Sequence, residues 1–127
     1  MSRRVDREFE GRAAEVRSAR VFVETTLAAW DLDEVAEVAV LLTSELSTNA
    51  VRHARTAFRV AVSCAAAELV VEVADGSCAL PVTRPRALRA DGGRGMQLVE
   101  GLARAWGARQ VEGGNGKVVW FELDLPE

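Results

Sequence analysis

Residues 41–54 read LLTSELSTNAVRHA and have the spacing of a helix with polar residues on its apolar face. The rest of the fold must be arranged around this helix, because those polar residues need partners. Glu45, Asn49 and His53 follow one another at intervals of four, along or beside the face that would pack on a core. A buried polar group that is left unpaired costs about 1–3 kcal/mol. The polar ladder therefore needs partners inside the fold or a ligand, and spacing alone leaves both open. The apolar members of the same face are Val35, Val38, Ala39, Leu42 and Leu46.

The composition is typical of one globular domain. The chain has 127 residues, of which 49% are hydrophobic and 28% charged, and its net charge is −3. This length supports a single domain, residues 1–127, with its own core and no room for a second. Every basic residue except Lys117 is an arginine, and no basic block occurs, so direct nucleic-acid binding is not indicated.

The cysteines and the apolar runs bear on the compartment. Cys64 and Cys78 lack the spacing of metal ligands, and no secretory apolar segment opens the chain. The longest apolar runs are much shorter than a membrane span. We therefore expect a protein of the reduced cytoplasm with no membrane association.

The periodicity of the apolar residues predicts five strands and three helices. Asp31 and Asp33 are expected to cap the second helix, which carries the polar ladder. An irregular loop with Gly, Pro and Arg, residues 76–93, follows the third strand, and a loop of that length is usually functional or mobile. The predicted strands are residues 3–10, 57–64, 68–75, 108–112 and 117–125, and the predicted helices are residues 13–30, from about 31 to 54, and 95–106.

This order, β-α-α-β-β-loop-α-β-β, predicts the fold class. The strands form consecutive hairpins, and the segment 3–10 has the charges of an edge strand. We expect an α+β two-layer sandwich, with a mixed, largely antiparallel sheet and the helices on one face.

Two glycine-rich segments have different meanings. Residues 113–117, GGNGK, are followed by Val118 and a strand, so they predict a hairpin turn and not a phosphate loop. Residues 93–95, GRG, open a helix, whose backbone N–H groups and dipole favour an anion. A plain hinge into a helix explains the second segment equally well.

Four segments, in this order, resemble the GHKL ATPase superfamily, which includes histidine kinases and gyrase-type topoisomerases. Residues 45–54, ELSTNAVRHA, resemble its N box, Asp75 the aspartate of its first glycine box, and residues 93–96, GRGM, its second. Residues 114–123, GNGKVVWFEL, resemble its closing hairpin. The resemblance covers essentially the whole chain and is nearest to the small single-domain anti-sigma-factor serine kinases. It implies a Bergerat-type ATP-binding fold, with ATP and Mg²⁺ as cofactors.

The resemblance also implies residue roles. Asn49 would hold a Mg²⁺ that bridges the phosphates, Glu45 would act as general base, and Asp75 would accept a hydrogen bond from the adenine amino group. His53 would lie near the phosphates or be a partly buried structural histidine. The amides that would receive phosphate oxygens are those of Gly93, Arg94, Gly95 and Met96.

The implied function is that of a regulatory serine/threonine kinase. It would bind a sigma factor, phosphorylate an anti-anti-sigma protein, or do both, and a homodimer is a further expected assembly. The catalytic domain of a sensor histidine kinase is disfavoured, since no helical hairpin with a phospho-accepting His precedes residues 45–54. The first glycine box departs from the family's Asp-x-Gly-x-Gly, because Ser77 and Ala79 replace its two glycines. The alternative is therefore a non-catalytic interaction module on the same fold, with a degraded nucleotide site.

Overall fold

The predicted order of elements is confirmed. The computed structural model describes residues 2–54, 56–77, 95–111, 113 and 115–126. A 3₁₀ turn, Asp33–Val35, precedes the second helix, and a π-helical segment, Ala50–Ala54, follows it. The main elements are β1 (Arg3–Phe9), α1 (Ala14–Ala29), α2 (Ala36–Asn49), β2 (Phe58–Ala65), β3 (Glu68–Asp75), α3 (Gly95–Leu102), β4 (Ala105–Gln110) and β5 (Lys117–Asp124).

The strands form one five-stranded sheet in the order β1-β2-β3-β5-β4. Each neighbouring pair in the described sheet is antiparallel. Alternate residues of β3 are buried, as their alternation predicts, and they join the buried residues of α1 and α2 in one core. The predicted α+β sandwich, with helices on one face of the sheet, is therefore confirmed. The largest fully buried side chains include Phe58, Phe121, Leu27, Leu42 and Leu69.

The hairpins also lie where the turn residues predict them. Ala66 has a φ of 54° between β2 and β3. Between β4 and β5, Gly113 and Gly116 have positive φ, and the Val111 N–H donates to the Gly116 carbonyl at 2.8 Å. The described residues of this segment therefore belong to a hairpin connection and not to a phosphate loop, as predicted.

The predicted capping by Asp31 and Asp33 is wrong. Asp31 adopts a left-handed conformation, with a φ of 57°, at the end of α1. The Leu32 N–H donates to the Leu27 carbonyl at 2.8 Å and the Asp31 N–H to the Ala28 carbonyl at 3.2 Å. This pair of bonds is a Schellman motif, which ends a helix. Asp31 thus terminates α1, and neither the 3₁₀ turn nor α2 has a side-chain cap.

The third helix is shorter than predicted. It ends at Leu102, and Trp106, predicted as its last residue, lies in β4. Gly107 is opposite Trp120 in the β4–β5 register, and a Cβ at Gly107 would collide with the Trp120 ring. Strand pairing with β5 therefore overrides the helical spacing of the apolar residues.

The length and the apolarity of the described helices bear on whether any of them could cross a membrane. None of them combines the length and the apolarity that crossing a membrane requires.

Candidate functional site

Two polar side chains of the ladder lie on one flank of α2. Glu45 and Asn49 are half-buried and one turn apart, beside the fully buried core residues Leu42 and Leu46. Among the described residues, neither side chain has a hydrogen-bond or ion-pair partner. Their polar groups therefore have no partners inside the described fold, which was the first of the two explanations that the spacing left open. Both are available to a ligand.

His53 differs from these two residues in its exposure. It lies in the π-helical segment and is exposed. Its exposure sets it apart from the half-buried Glu45 and Asn49. The prediction of a partly buried structural His53 is therefore wrong.

The end of α2 and the end of β3 lie close together at one end of the sheet. The π-helical segment packs against β3, and α2 packs against α3. The backbone N–H of Gly76 donates to Thr56 Oγ1 at 3.0 Å, which ties the chain after α2 to the residue after Asp75. The first glycine box and the N box are thus brought together, as their resemblance to a nucleotide site requires.

The second glycine box is only partly described. Gly93 and Arg94, together with most of the predicted loop at 76–93, lie outside the described residues. Gly95 is the first residue of α3 and Met96 the second, so this helix begins where the sequence predicts it. The amides proposed to receive phosphate oxygens therefore include the first turn of a helix that packs against α2.

Asp75 is at the end of β3, and its carboxylate is already engaged. Lys117, the first residue of β5, lies opposite it in the β3–β5 register. The Lys117 Nζ is 3.0 Å from Asp75 Oδ1 and 2.9 Å from Oδ2. The side chains are only 7% and 2% exposed, respectively. Sequence reasoning singled out Asp75 and missed this partner.

A second contact fixes the same carboxylate. The Ser77 backbone N–H donates to Asp75 Oδ1 at 2.8 Å, an Asx-type turn. Gly116 has a φ of 152°, and a Cβ there would collide with the Asp75 carbonyl oxygen. The close approach of Gly116 therefore depends on glycine, and it places the next residue, Lys117, against the aspartate. The available signal was that the only lysine of the chain directly precedes an apolar strand.

The donor set on α2 fits a magnesium ion better than a structural metal. No group of three or more His, Cys, Asp or Glu side chains in the described part of the chain could hold a metal. Mg²⁺ needs few protein ligands, since it keeps several waters and takes the others from substrate phosphates. The unpaired oxygens of Asn49 and Glu45 suit that requirement.

The comparison with protein families agrees with this arrangement. A family model described as a histidine kinase-like ATPase domain matches residues 9–123. The chain therefore belongs to the histidine kinase-like ATPase family. The match extends from the end of β1 into β5, so it includes the α2 flank, Asp75 and Lys117. No curated protein matches the chain significantly. Membership of this family supports an ATP-binding regulatory function.

Proposed function

We propose that the chain binds ATP with Mg²⁺ where α2, β3 and α3 meet, and that it acts as a cytoplasmic regulatory serine/threonine kinase of the anti-sigma-factor type. The observation that carries this proposal is the α2 flank. Glu45 and Asn49 are half-buried, one turn apart and without partners among the described residues. Because both side chains keep some contact with water, they can remain unpaired at small cost until a ligand binds them.

Each residue has a role that suits its chemistry. The amide oxygen of Asn49 is a hard ligand for Mg²⁺ beside the phosphates. The Glu45 carboxylate, one turn before it, takes the proton of the attacking hydroxyl. ATP supplies the phosphoryl group and Mg²⁺ the charge that offsets its oxygens, so the protein's part is mainly positioning. The amides of Gly95 and Met96 lie in the first turn of α3, where the helix dipole favours phosphate.

The partners in this proposal follow from the nearest resemblance. A sigma factor would be bound, or a serine of an anti-anti-sigma protein would receive the phosphate, and a second copy of the chain could complete the assembly. The resemblance to the small anti-sigma-factor kinases supports these partners, and the family match supports the nucleotide site.

One observation favours a second function, a non-catalytic interaction module. Asp75 is occupied by Lys117 and by the Ser77 backbone, and Ser77 itself replaces a family glycine. If that pair excludes a purine, nucleotide binding is lost while the surface of the fold remains available to a partner.

Nucleotide binding separates the two functions. Thermal unfolding of the full chain is measured with 1 mM ATP and Mg²⁺, with ATP and EDTA, and without ligand. The kinase proposal predicts a rise in Tm that needs Mg²⁺ and is lost in Asn49→Ala. Thr48→Ala, a neighbouring position on α2, is the matched control and keeps the rise. An unchanged Tm of the wild type in Mg²⁺-ATP favours the interaction module.

A further inference from the structure

Thr56 lies where three segments of the chain meet. It comes shortly after the π-helical segment that follows α2, and two glycines approach it, Gly11 from the end of β1 and Gly76 from the end of β3. A Cβ at Gly11 would collide with the Thr56 carbonyl oxygen, and a Cβ at Gly76 would lie 3.0 Å from Thr56 Oγ1 and Cγ2. Glycine at both positions therefore lets the backbone come close to Thr56.

The Thr56 hydroxyl is used both as a donor and as an acceptor. Its O–H donates to the Ala57 carbonyl at 3.1 Å, and its oxygen accepts the Gly76 N–H at 3.0 Å. A hydroxyl has a single donor, so the bond to Ala57 leaves the lone pairs of the oxygen for Gly76. The hydroxyl is thereby oriented toward the amide that directly follows Asp75.

The amides of two consecutive residues after β3 are held by side chains. Thr56 accepts the Gly76 N–H, and the Asp75 carboxylate accepts the Ser77 N–H at 2.8 Å. We call residues 75–77 the β3 turn. Unlike the buried Asp75 side chain, the β3 turn is open to solvent, since Gly76 is exposed and Ser77 is half-buried. A ligand at the end of β3 can therefore meet the backbone of this turn.

The bond between Thr56 and Gly76 contributes little to the stability of the core. Thr56 is exposed, and the bond is made at the surface. A hydrogen bond between groups that water can reach replaces their bonds to water, so its net value is small. What the bond determines is position, because it joins the chain after α2, the helix that carries Asn49, to the β3 turn.

We propose that Thr56 is a positioning residue of the nucleotide site, an inference that rests on the nucleotide-binding function proposed above. In that function the α2 flank binds Mg²⁺ and the phosphates, and the end of β3 lies toward the nucleoside. The Thr56 hydroxyl fixes the β3 turn relative to α2 before a ligand binds. A site that is arranged in advance loses less conformational entropy on binding, so its affinity is higher. Thr56 acts through the Gly76 amide and does not itself touch the ligand.

The experiment measures the binding of ATP and of tripolyphosphate, each with Mg²⁺, to the full chain by isothermal titration calorimetry. Tripolyphosphate lacks the nucleoside, so it needs the α2 flank and not the β3 turn. Thr56→Val replaces the hydroxyl by a methyl group and is expected to weaken ATP binding by about three- to tenfold, the net value of one hydrogen bond. Binding of tripolyphosphate should not change. Thr56→Ser keeps the hydroxyl and is expected to bind ATP within about twofold of the wild type.

The matched control is Thr25→Val, which changes an exposed threonine of α1. It should alter the affinity for neither ligand. Equal weakening of ATP and tripolyphosphate by Thr56→Val would indicate a general structural role and overturns the inference. A loss of ATP affinity that Thr56→Ser does not restore also overturns it.

A measurement on the wild type alone makes the test independent of the folding of any variant. Because Gly76 is exposed, slow hydrogen exchange of its amide requires a hydrogen bond such as the one to Thr56. By NMR, this amide is expected to exchange at least about tenfold more slowly than in an unfolded chain, and more slowly still with Mg²⁺ and ATP. A Gly76 amide that exchanges at the unfolded rate overturns the inference.

The fate of the nucleotide-binding proposal is read separately. If the wild type binds ATP and Thr56→Val binds it equally well, the inference fails while the nucleotide-binding proposal stands. If the wild type binds neither ATP nor tripolyphosphate at millimolar concentration, both fail.

Discussion

The two halves of the proposed nucleotide site differ in how their polar groups are paired. On the α2 flank, Glu45 and Asn49 are half-buried and have no partner in the described residues. At the end of β3, Asp75 and Lys117 are almost completely buried and paired with each other. The first half is poised for a ligand that brings its own charge. In the second half, the charges of Asp75 and Lys117 offset each other before any ligand binds. This half can therefore select a ligand only by shape and by the hydrogen bonds that the pair does not already use.

This contrast separates two physical tasks. Phosphates and their metal ion bring strong charge, so residues that bind them can remain unpaired toward solvent at small cost. A base is neutral, and an isolated buried carboxylate facing it would be expensive in the unliganded protein. A lysine that pairs with the carboxylate reduces that cost. Substitutions in each half should therefore affect different properties.

The largest effect is expected from Glu45→Gln on phosphoryl transfer. Gln has nearly the same shape but cannot accept a proton, so transfer should fall by roughly two to four orders of magnitude, the usual contribution of a positioned base. Nucleotide affinity should change little. The rate of transfer is measured with radiolabelled phosphate and candidate anti-anti-sigma proteins, and the nucleotide affinity is measured by calorimetry.

The control for this substitution is Glu37→Gln, in the exposed first turn of α2. It should transfer phosphate at the wild-type rate. Equal transfer by the wild type and Glu45→Gln would show that Glu45 is not the base. A protein that binds ATP and transfers nothing in any form would be a nucleotide-dependent binding module.

The next largest effect is on the free energy of unfolding and is expected from Lys117→Met, in the other half of the site. Lys117→Met leaves the buried Asp75 carboxylate without its partner, so the free energy of unfolding should fall by about 3–5 kcal/mol. Arg104→Met breaks ion pairs that are partly exposed, and its cost should be below about 1 kcal/mol. Urea denaturation followed by circular dichroism gives both values.

A double substitution sharpens this prediction. Asp75→Asn together with Lys117→Met removes both buried charges, so it should recover much of the stability lost in Lys117→Met alone. If Lys117→Met costs no more than Arg104→Met, the pair is not desolvated in solution and the contrast between the two halves is wrong.

The third effect concerns ligand binding and tests both halves together. ATP with Mg²⁺ at about 100 times its dissociation constant should stabilise the wild type by roughly 2.7 kcal/mol. Asn49→Ala should lose the Mg²⁺-dependent part and leave the unliganded protein nearly as stable as the wild type, because the side chain is half-buried and unpaired. Asp75→Asn should weaken binding and also destabilise the unliganded protein, because Lys117 then lacks its counter-charge.

Thermal unfolding with and without ligand separates these expectations. Equal loss of unliganded stability in Asn49→Ala and Asp75→Asn would mean that Asn49 has a structural role. The α2 flank would then not be the open half of the site.

The smallest effect distinguishes an unpaired group in the core from an unpaired group in the site. Thr43 and Ser47 lie on the opposite flank of α2 from Glu45, are fully buried and have hydroxyls without a partner among the described residues. Thr43→Val replaces such a hydroxyl by a methyl group of similar shape, so it should raise the free energy of unfolding by about 1 kcal/mol and leave ATP affinity unchanged.

Thr26→Val is the matched control for this substitution. The Thr26 hydroxyl donates to the Phe22 carbonyl at 2.8 Å, so its loss should cost about 1 kcal/mol. If both substitutions destabilise equally, the Thr43 hydroxyl is satisfied in solution, by a buried water for example.

Local patterns in the sequence were sufficient for the order of the elements and for half of the site. The alternation of Leu69, Val71 and Val73 predicts a strand buried on one face because side chains of a strand point alternately to its two faces. The spacing of Glu45 and Asn49 places them on one flank because an α-helix has 3.6 residues per turn. Both are properties of neighbouring residues, and a single sequence displays them directly.

The tertiary structure decided the rest, because it depends on contacts between residues far apart in the chain. Lys117 meets Asp75 only through the β3–β5 register, 42 residues away, and the local sequence shows no more than a single lysine before an apolar strand. Trp106 belongs to β4 because Gly107 accommodates the Trp120 ring, although its spacing from Leu102 fits a helix equally well. His53 is exposed although its spacing continues the ladder, because what covers a residue depends on the packing of other elements around it. Periodicity determines which residues share a face of an element, whereas pairing and packing between elements determine what that face meets.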